Sequence, residues 1–199
     1  MIYDTNDISP NKIYQIMAQT IIPRPIAWIV TKNNGIINIA PFSFFTPLSS
    51  NPATLMVSIG YKDENKTILK DTLANIKQTK QCTICVVDEH NLEKMHFSSK
   101  ALPKEQSEAS EFNIATKIIH KDFPPMIQNA SISYMCTLNQ TIDLGKNSTI
   151  PVILNVKNIF IDDSKFMDDE KKVIEFNALA RVGREYASLS KKIPAPKIP

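Results

Sequence analysis

The sequence predicts a mainly β fold: an antiparallel β-barrel, closed or nearly closed, with peripheral helices. Three observations predict it. At least six short runs rich in Ile, Val, Thr and aromatic residues recur along the chain, several in hairpin order. Helical patterns are few and scattered, so strands and helices do not alternate as parallel βαβ units require. The chain has only four glycines and no Gly-rich dinucleotide fingerprint, so a nicotinamide nucleotide, if used, does not bind through a Rossmann loop.

Each element has its own signal. Ser9 and Pro10, ahead of residues 11–18, predict a short helix with Ser9 as N-cap and Pro10 in the first turn. Ile13, Ile16 and Met17 recur along it at helical spacing, and Pro23 and Pro25 break it. Residues 26–31 predict a strand, Asn33-Asn34-Gly35 a hairpin turn, and residues 36–40 the returning strand. Pro41, Pro47 and Pro52 remove backbone donors and stiffen the turns that follow. Residues 54–60 predict a third strand with Leu55, Val57 and Ile59 on one face.

Residues 61–66 are polar, and 67–78 predict a helix with an apolar stripe of Ile68, Leu69, Leu73 and Ile76. Residues 81–87 predict a strand, and 90–98 a helix with Leu92, Met95 and His96 on its inner side. Residues 101–115 read as loop with a helical turn near 108–112. Residues 126–144 hold one long strand or two short ones, and 150–161 a further strand with Val152, Leu154 and Val156 alternating with polar residues. Residues 168–172 read as a polar turn or short helix before a last segment, 177–189.

The 199 residues suit a single domain, 1–199, with an irregular tail over 191–199, long enough to bury a core without disulfides. A net charge of +3, from lysines scattered along the chain, is too small to argue for nucleic acid. Phe42, Phe44 and Phe45 lack the interleaved basic residues of a single-strand-binding groove. Three cysteines, an odd number, make no disulfide framework and fit a reducing cytoplasm. The first ten residues carry Asp4 and Asp7 and no apolar run, so no signal peptide is expected, and no apolar run approaches membrane-spanning length. The expectation is a soluble cytoplasmic protein.

Cys82-Thr83-Ile84-Cys85 has CxxC spacing, but positions i and i+3 of a strand face opposite ways and no second pair completes a zinc site. Buried thiols are the expectation there. His90, His96 and His120 have no carboxylate or cysteine at ligand spacing, so no metal site is expected. No Gly-x-Ser-x-Gly elbow supports a hydrolase. Trp28 suits either core packing or the wall of a ring pocket.

Chemistry concentrates in residues 23–72. Ser43, Thr46, Ser49 and Ser50 are short hydroxyl donors. Lys66, Thr67, Lys70 and Thr72 stand at the start of the expected helix, whose N–H groups and dipole attract phosphate. Arg24, between two prolines, is held on a stiff stem. A phosphate wants such donors and cations, and a flavin ring wants a flat apolar wall, so an anionic, ring-bearing cofactor such as FMN fits. The same composition suits an ordinary loop with solvated lysines, and the residues alone leave both readings open. Asp71 favours the helix start and is expected to stay out of direct phosphate contact.

The blocks Arg24-Pro25-Ile26-Ala27-Trp28, Asn38-Ile39-Ala40-Pro41-Phe42-Ser43-Phe44-Phe45, Ser49-Ser50-Asn51-Pro52 and Lys70-Asp71-Thr72-Leu73-Ala74-Asn75-Ile76 add to this reading. In order and spacing they resemble the flavin reductase-like, FMN-binding split-barrel family, in its flavoredoxin-like branch. A weaker echo is Ala180-Arg181-Val182-Gly183-Arg184-Glu185-Tyr186. The resemblance runs from about residue 13 to 186, with no specific block over 90–121.

It implies an antiparallel Greek-key split barrel forming a homodimer, with FMN at or near the subunit interface. It also implies that Asn38, Ala40, Pro41, Phe42, Ser43, Phe44, Phe45 and Thr46 face the isoalloxazine, mostly through backbone atoms. Ser49, Ser50, Lys70 and Thr72 then serve the ribityl-phosphate end, with Arg24 and Ser58 as further candidates. Arg184 and Tyr186 close the pocket, from the same subunit or its partner. The implied activity is hydride transfer from NADH or NADPH to FMN, needing no side-chain acid or base, so no catalytic residue is expected. Reduced flavin would pass to a partner monooxygenase, or electrons to another acceptor. The alternatives are a flavoredoxin-like FMN electron carrier or a non-catalytic flavin-binding protein. A pyridoxamine-phosphate-oxidase-like barrel is disfavoured by the 38–45 and 70–72 blocks.

Overall fold

A strand that is apolar on both faces needs cover on both faces, and the fold is built around one. The computed structural model describes residues 1–145, 148–168, 170, 172–189 and 193–196. Helix α1 (Pro10–Thr20) and the short β1 (Arg24–Pro25) lead into β2 (Ala27–Asn33), which pairs with β3 (Ile36–Phe42). Their turn, Asn34-Gly35, has positive φ at both residues, as a two-residue hairpin with right-handed strand twist demands. Along β2, Ala27 and Ile29 enter one core, while Trp28 and Val30 enter another.

The chain continues through β4 (Phe45–Ser50), β5 (Ala53–Gly60), α2 (Asp71–Thr79), β6 (Gln81–Val86), α3 (Leu92–Phe97) and α4 (Glu108–Glu111). Then come β7 (Thr116–Lys117), β8 (Met126–Ile127), β9 (Ile132–Thr141), β10 (Thr149–Ile161), β11 (Phe166–Asp168), β12 (Val173–Ile174), β13 (Leu179–Val182) and β14 (Glu185–Ser188). Seven strands form one antiparallel sheet in the order β3-β2-β6-β9-β10-β5-β4. Its two ends, β3 and β4, are consecutive in sequence and joined only through Ser43 and Phe44, so the sheet must curl back on itself. No ladder joins β3 to β4 among the described residues, which leaves an open seam: a split barrel.

The concave face is plugged by α2. Leu73 and Ile76 are fully buried against Ile29, Val57, Ile59, Ile84, Val152 and Leu154. Each such side chain contributes about 1.5–3 kcal/mol by burial. On the convex face of β2 and β6, Trp28, Val30 and Cys85 pack under Met95 of α3, Ile114, Met126 and Leu179. Trp28 is a core residue, and its indole N–H donates to Ser98 Oγ at 2.9 Å. Cys82 belongs to the concave core and Cys85 to the convex one, both fully buried, as strand alternation requires of positions three apart.

Several expected elements shift. Helix α1 carries the Ser9 cap, with Oγ accepting from Lys12 N–H, but Ile13 and Ile16 are only half-buried and Met17 is exposed. Helix α2 starts at Asp71, four residues later than expected, because the Asp63 carboxylate takes the Thr67 and Ile68 N–H groups into a closed loop. Ile68 therefore leaves the expected stripe and is 54% exposed. Residues 45–50, expected as Pro-punctuated turns, form the edge strand β4, where Pro47 is tolerated on a sheet's outer strand. His96 faces outward, while Met95 takes the inner position. Strands β11 and β12 pair antiparallel, Phe166 opposite Ile174; positions 169 and 171 of the expected 168–172 turn lie outside the described residues. Residues 193–196 carry no regular structure, and the rest of the 191–199 tail lies outside the described residues.

Candidate functional site

Two cavities open along β3, one at each end of the stretch from Asn38 to Ser43. The first, about 60 Å³, is lined by Asn38, Ala40, Lys62, Lys70, Thr72 and Lys100, with Glu108 in its wall. The second, about 210 Å³, is lined by Tyr14, Pro41, Phe42, Ser43, His96 and Tyr186, with Arg181 beside them. Ser99, just past α3, lines both.

The lysine end is assembled by buried hydrogen bonds. Asn38 Nδ2 donates to Thr72 Oγ1 at 2.9 Å, which leaves the Thr72 hydroxyl hydrogen to be given elsewhere. One turn on, Asn75 Nδ2 donates to Thr31 Oγ1 at 3.0 Å, tying α2 to β2. Lys70 holds the cap position of α2 and offers its first turn no side-chain acceptor, so those N–H groups keep their attraction for an anion. Asp71 is paired with Lys62 at 2.6 Å. Asp71 also lines this cavity, so the pair puts a compensated carboxylate in its wall.

The aromatic end is assembled from segments far apart in sequence. The Tyr186 hydroxyl and His96 Nδ1 are 2.9 Å apart, with the two rings edge-on. The Arg181 guanidinium lies 4.6 Å over the Tyr186 ring, and its Nε donates to the Gly183 carbonyl. The hairpin of β13 and β14 places Arg181 directly opposite Tyr186.

The structure gathers some expected site residues and disperses others. Asn38, Ala40, Lys70 and Thr72 meet at the lysine end; Pro41, Phe42, Ser43 and Tyr186 meet at the aromatic end. Phe44 packs beside Tyr14, 5.7 Å between centroids, and its carbonyl accepts from Ser58 N–H. Phe45 turns into the concave core. Thr46, Ser49 and Ser50 stand exposed on β4 and line neither cavity, and Ser58 lines neither. Arg24 is 6% exposed; it donates to the Ala18 and Ile21 carbonyls at the end of α1, and burial pulls its pKa down. Arg184 sits at the β13–β14 turn beside Gln19.

Sequence reasoning passed over Lys62, Lys100, Ser99, Glu108 and Arg181. For Arg181 the signal was present: a turn at Gly183-Arg184 puts residues 181 and 186 opposite each other on one face and leaves 184 at the tip. Lys100 and Glu108 arrive on the 98–111 segment, whose composition says nothing about which strand it covers.

The donor set suits a flavin phosphate: lysines, a hydroxyl with a spare hydrogen and an uncapped helix start at one end, aromatic rings and hydroxyls at the other. The chain is 29% identical over 178 residues to an uncharacterised protein of Aquifex aeolicus, covering 87% of this chain and 88% of that one. Its fold matches the crystal structure of nitrilotriacetate monooxygenase component B from Bacillus cereus with a TM-score of 0.89 at 22% identity, covering 98% of each chain. It also matches the 2-nitrobenzoate 2-nitroreductase NbaA of Pseudomonas fluorescens with a TM-score of 0.87 at 23% identity, covering 100% of this chain and 96% of that one. Residues 17–189, nearly the whole chain, match the family described as flavin reductase like domain, and the protein belongs to that family.

Proposed function

We propose that this single-domain protein is an FMN-binding oxidoreductase that accepts hydride from NADH or NADPH. The observation that carries the reading is that one strand, β3, runs along both an anion-seeking cavity and an aromatic one. Asn38 and Ser43 are five positions apart, about 17 Å for extended chain, room to lay a ribityl phosphate and a ring along β3.

Lys70, Lys62, Lys100 and the Thr72 hydroxyl hold the phosphate, and Asn38 holds Thr72 in place. Pro41, Phe42 and Ser43 form the wall for the ring, while Tyr186, Arg181 and His96 cover its far side. Bound FMN supplies the hydride-accepting N5 atom, and this chemistry asks no side chain to act as acid or base. What the protein contributes is position and electrostatics.

The protein works as a homodimer whose interface includes β4: among the described residues no strand pairs with its outer edge, and it carries Leu48, 48% exposed. Thr46, Ser49, Ser50 and Arg184, exposed and lining neither cavity, then reach a partner's cofactor. Among the described residues no helix is long and apolar enough to cross a membrane. Three buried thiols support a cytoplasmic setting. The electrons leave with reduced flavin to a monooxygenase, or pass to another acceptor.

The test is a visible spectrum of the purified protein, then an FMN titration under air while NADH and NADPH loss is followed. Flavin bands with nucleotide oxidation are expected. Bound FMN without oxidation would instead indicate an electron carrier, and no flavin binding would overturn the reading. Light scattering after gel filtration should report a dimer; a monomer that binds FMN would remove the shared-site part.

A further inference from the structure

Strand β3 is an edge of the sheet, and its open edge is closed by side chains where a neighbouring strand would stand. The Ser107 hydroxyl donates to the Ile37 carbonyl at 2.6 Å, and Glu108 Oε2 accepts from Ile39 N–H at 2.9 Å. These are two alternate residues of the strand, the positions a ladder would use. The contact fixes Glu108, 6% exposed, in the wall of the lysine cavity.

A neutral side-chain oxygen would accept the Ile39 N–H as well, so closing the strand does not require a carboxylate. Its charge matters for what enters the cavity. The charged groups around it are Asp71 at the start of α2, Lys62 after β5, Lys70 at the cap position and Lys100 beyond α3; β3 itself carries none. Burial raises the Glu108 pKa above the ordinary carboxylate range, Ile39 N–H opposes that rise, Asp71 adds to it and Lys62 opposes it. A dianion seated among Lys62, Lys70 and Thr72 would add a further repulsion at short range in a partly dry site.

We propose that Glu108 couples phosphate binding to the uptake of one proton: its carboxylate takes a proton from solvent as a phosphate dianion seats in the lysine cavity. Protonated, it still accepts the Ile39 N–H through its carbonyl oxygen, so the strand stays closed. The consequence is a specificity that depends on pH. Phosphate-bearing flavin is favoured over riboflavin more strongly as pH falls through the Glu108 titration, by at most about tenfold per pH unit for one linked proton. This inference rests on the FMN reading above.

Isothermal titration of the protein with FMN and with riboflavin, in two buffers of different ionisation enthalpy, tests it. The wild type should take up protons with FMN and none with riboflavin. Glu108→Gln should bind both flavins and lose that uptake, leaving only what the phosphate's own ionisation contributes. Equal uptake in wild type and variant, or none in the wild type, overturns the proposal while FMN binding itself stands. If neither flavin binds the wild type, the FMN reading falls and takes this inference with it. Should Glu108→Gln not fold, the ¹³C shift of the Glu108 carboxyl in wild type through an FMN titration decides: movement to the protonated value supports the proposal, and a constant shift overturns it.

Discussion

The two ends of the groove are built by different means. At the lysine end, Asn38 of β3 and Thr72 of α2 are locked by a buried hydrogen bond and Asn75 ties α2 to β2, while Lys62 and Lys100 reach in from after β5 and from beyond α3. At the aromatic end the side chains come from β3, α1, α3 and the hairpin of β13 and β14, and are held by ring contacts and two hydrogen bonds, an exposed one between Tyr186 and His96 and one from Arg181 Nε to the Gly183 carbonyl. The first end recognises charge with little freedom to adjust. The second offers surface to a ring and can adjust. Phosphate and ring should therefore respond separately to mutation.

The largest effect expected is at the lysine end. Each hydrogen bond from a charged group to phosphate contributes about 1.5–3 kcal/mol, so Lys70→Ala with Thr72→Ala should weaken FMN on the order of a hundredfold or more. Riboflavin should change by less than about threefold. Fluorescence titration with both flavins reads the split, and equal losses would remove Lys70 and Thr72 from the phosphate. The Thr72 change also leaves the buried Asn38 amide short of an acceptor, a cost of about 1–3 kcal/mol in stability. Lys70→Ala alone must therefore show most of the discrimination.

The aromatic end should behave the other way. Tyr186→Ala removes the ring that both His96 and Arg181 contact. Stacking contacts of this kind are worth about 0.5–1.5 kcal/mol, so FMN and riboflavin should weaken together by about three- to tenfold. Arg181→Ala should cost less than Tyr186→Ala. If Tyr186→Ala instead selects against FMN alone, the phosphate and ring ends have been assigned the wrong way round.

The same contrast explains what could be seen in the sequence. Strand β3 and its hairpin turn are local in sequence, and alternation and Asn34-Gly35 are local signals; helix α2 was legible too, though its start was not. The concave core was legible too, because Leu55, Val57, Ile59, Val152 and Leu154 alternate as a one-sided strand must. The aromatic end was not, because it exists only after α1, α3 and the last hairpin are brought together. Tyr14 lies on α1, whose expected apolar stripe is mostly out of the core, and Arg181 required the register of a hairpin that had not been recognised. Ser49 and Ser50 show the opposite failure: a loop-like composition hid an edge strand. Lys66, expected at a helix start, was displaced by a loop that the Asp63 carboxylate closes.

The smallest expected effect concerns the clasp between α4 and β3. The folded pKa of Glu108 is raised, mainly by burial, so its protonated form suits the fold better than its charged form. A group raised in this way contributes stability that is fully present below its unfolded value and is lost as pH rises through the folded one. Glu108→Gln keeps an acceptor for Ile39 N–H and removes that loss. The variant should therefore melt slightly higher than wild type at neutral pH, by no more than about 2–4 °C, the equivalent of about 1 kcal/mol in a chain of this size. The two should converge as pH falls toward the ordinary carboxylate range. Thermal melts of both proteins without added flavin, across a pH series, give the comparison. If Glu108→Gln is instead less stable at neutral pH, Ile39 N–H needs a charged acceptor, and the position of β3 along both cavities depends on the charge that Glu108 carries.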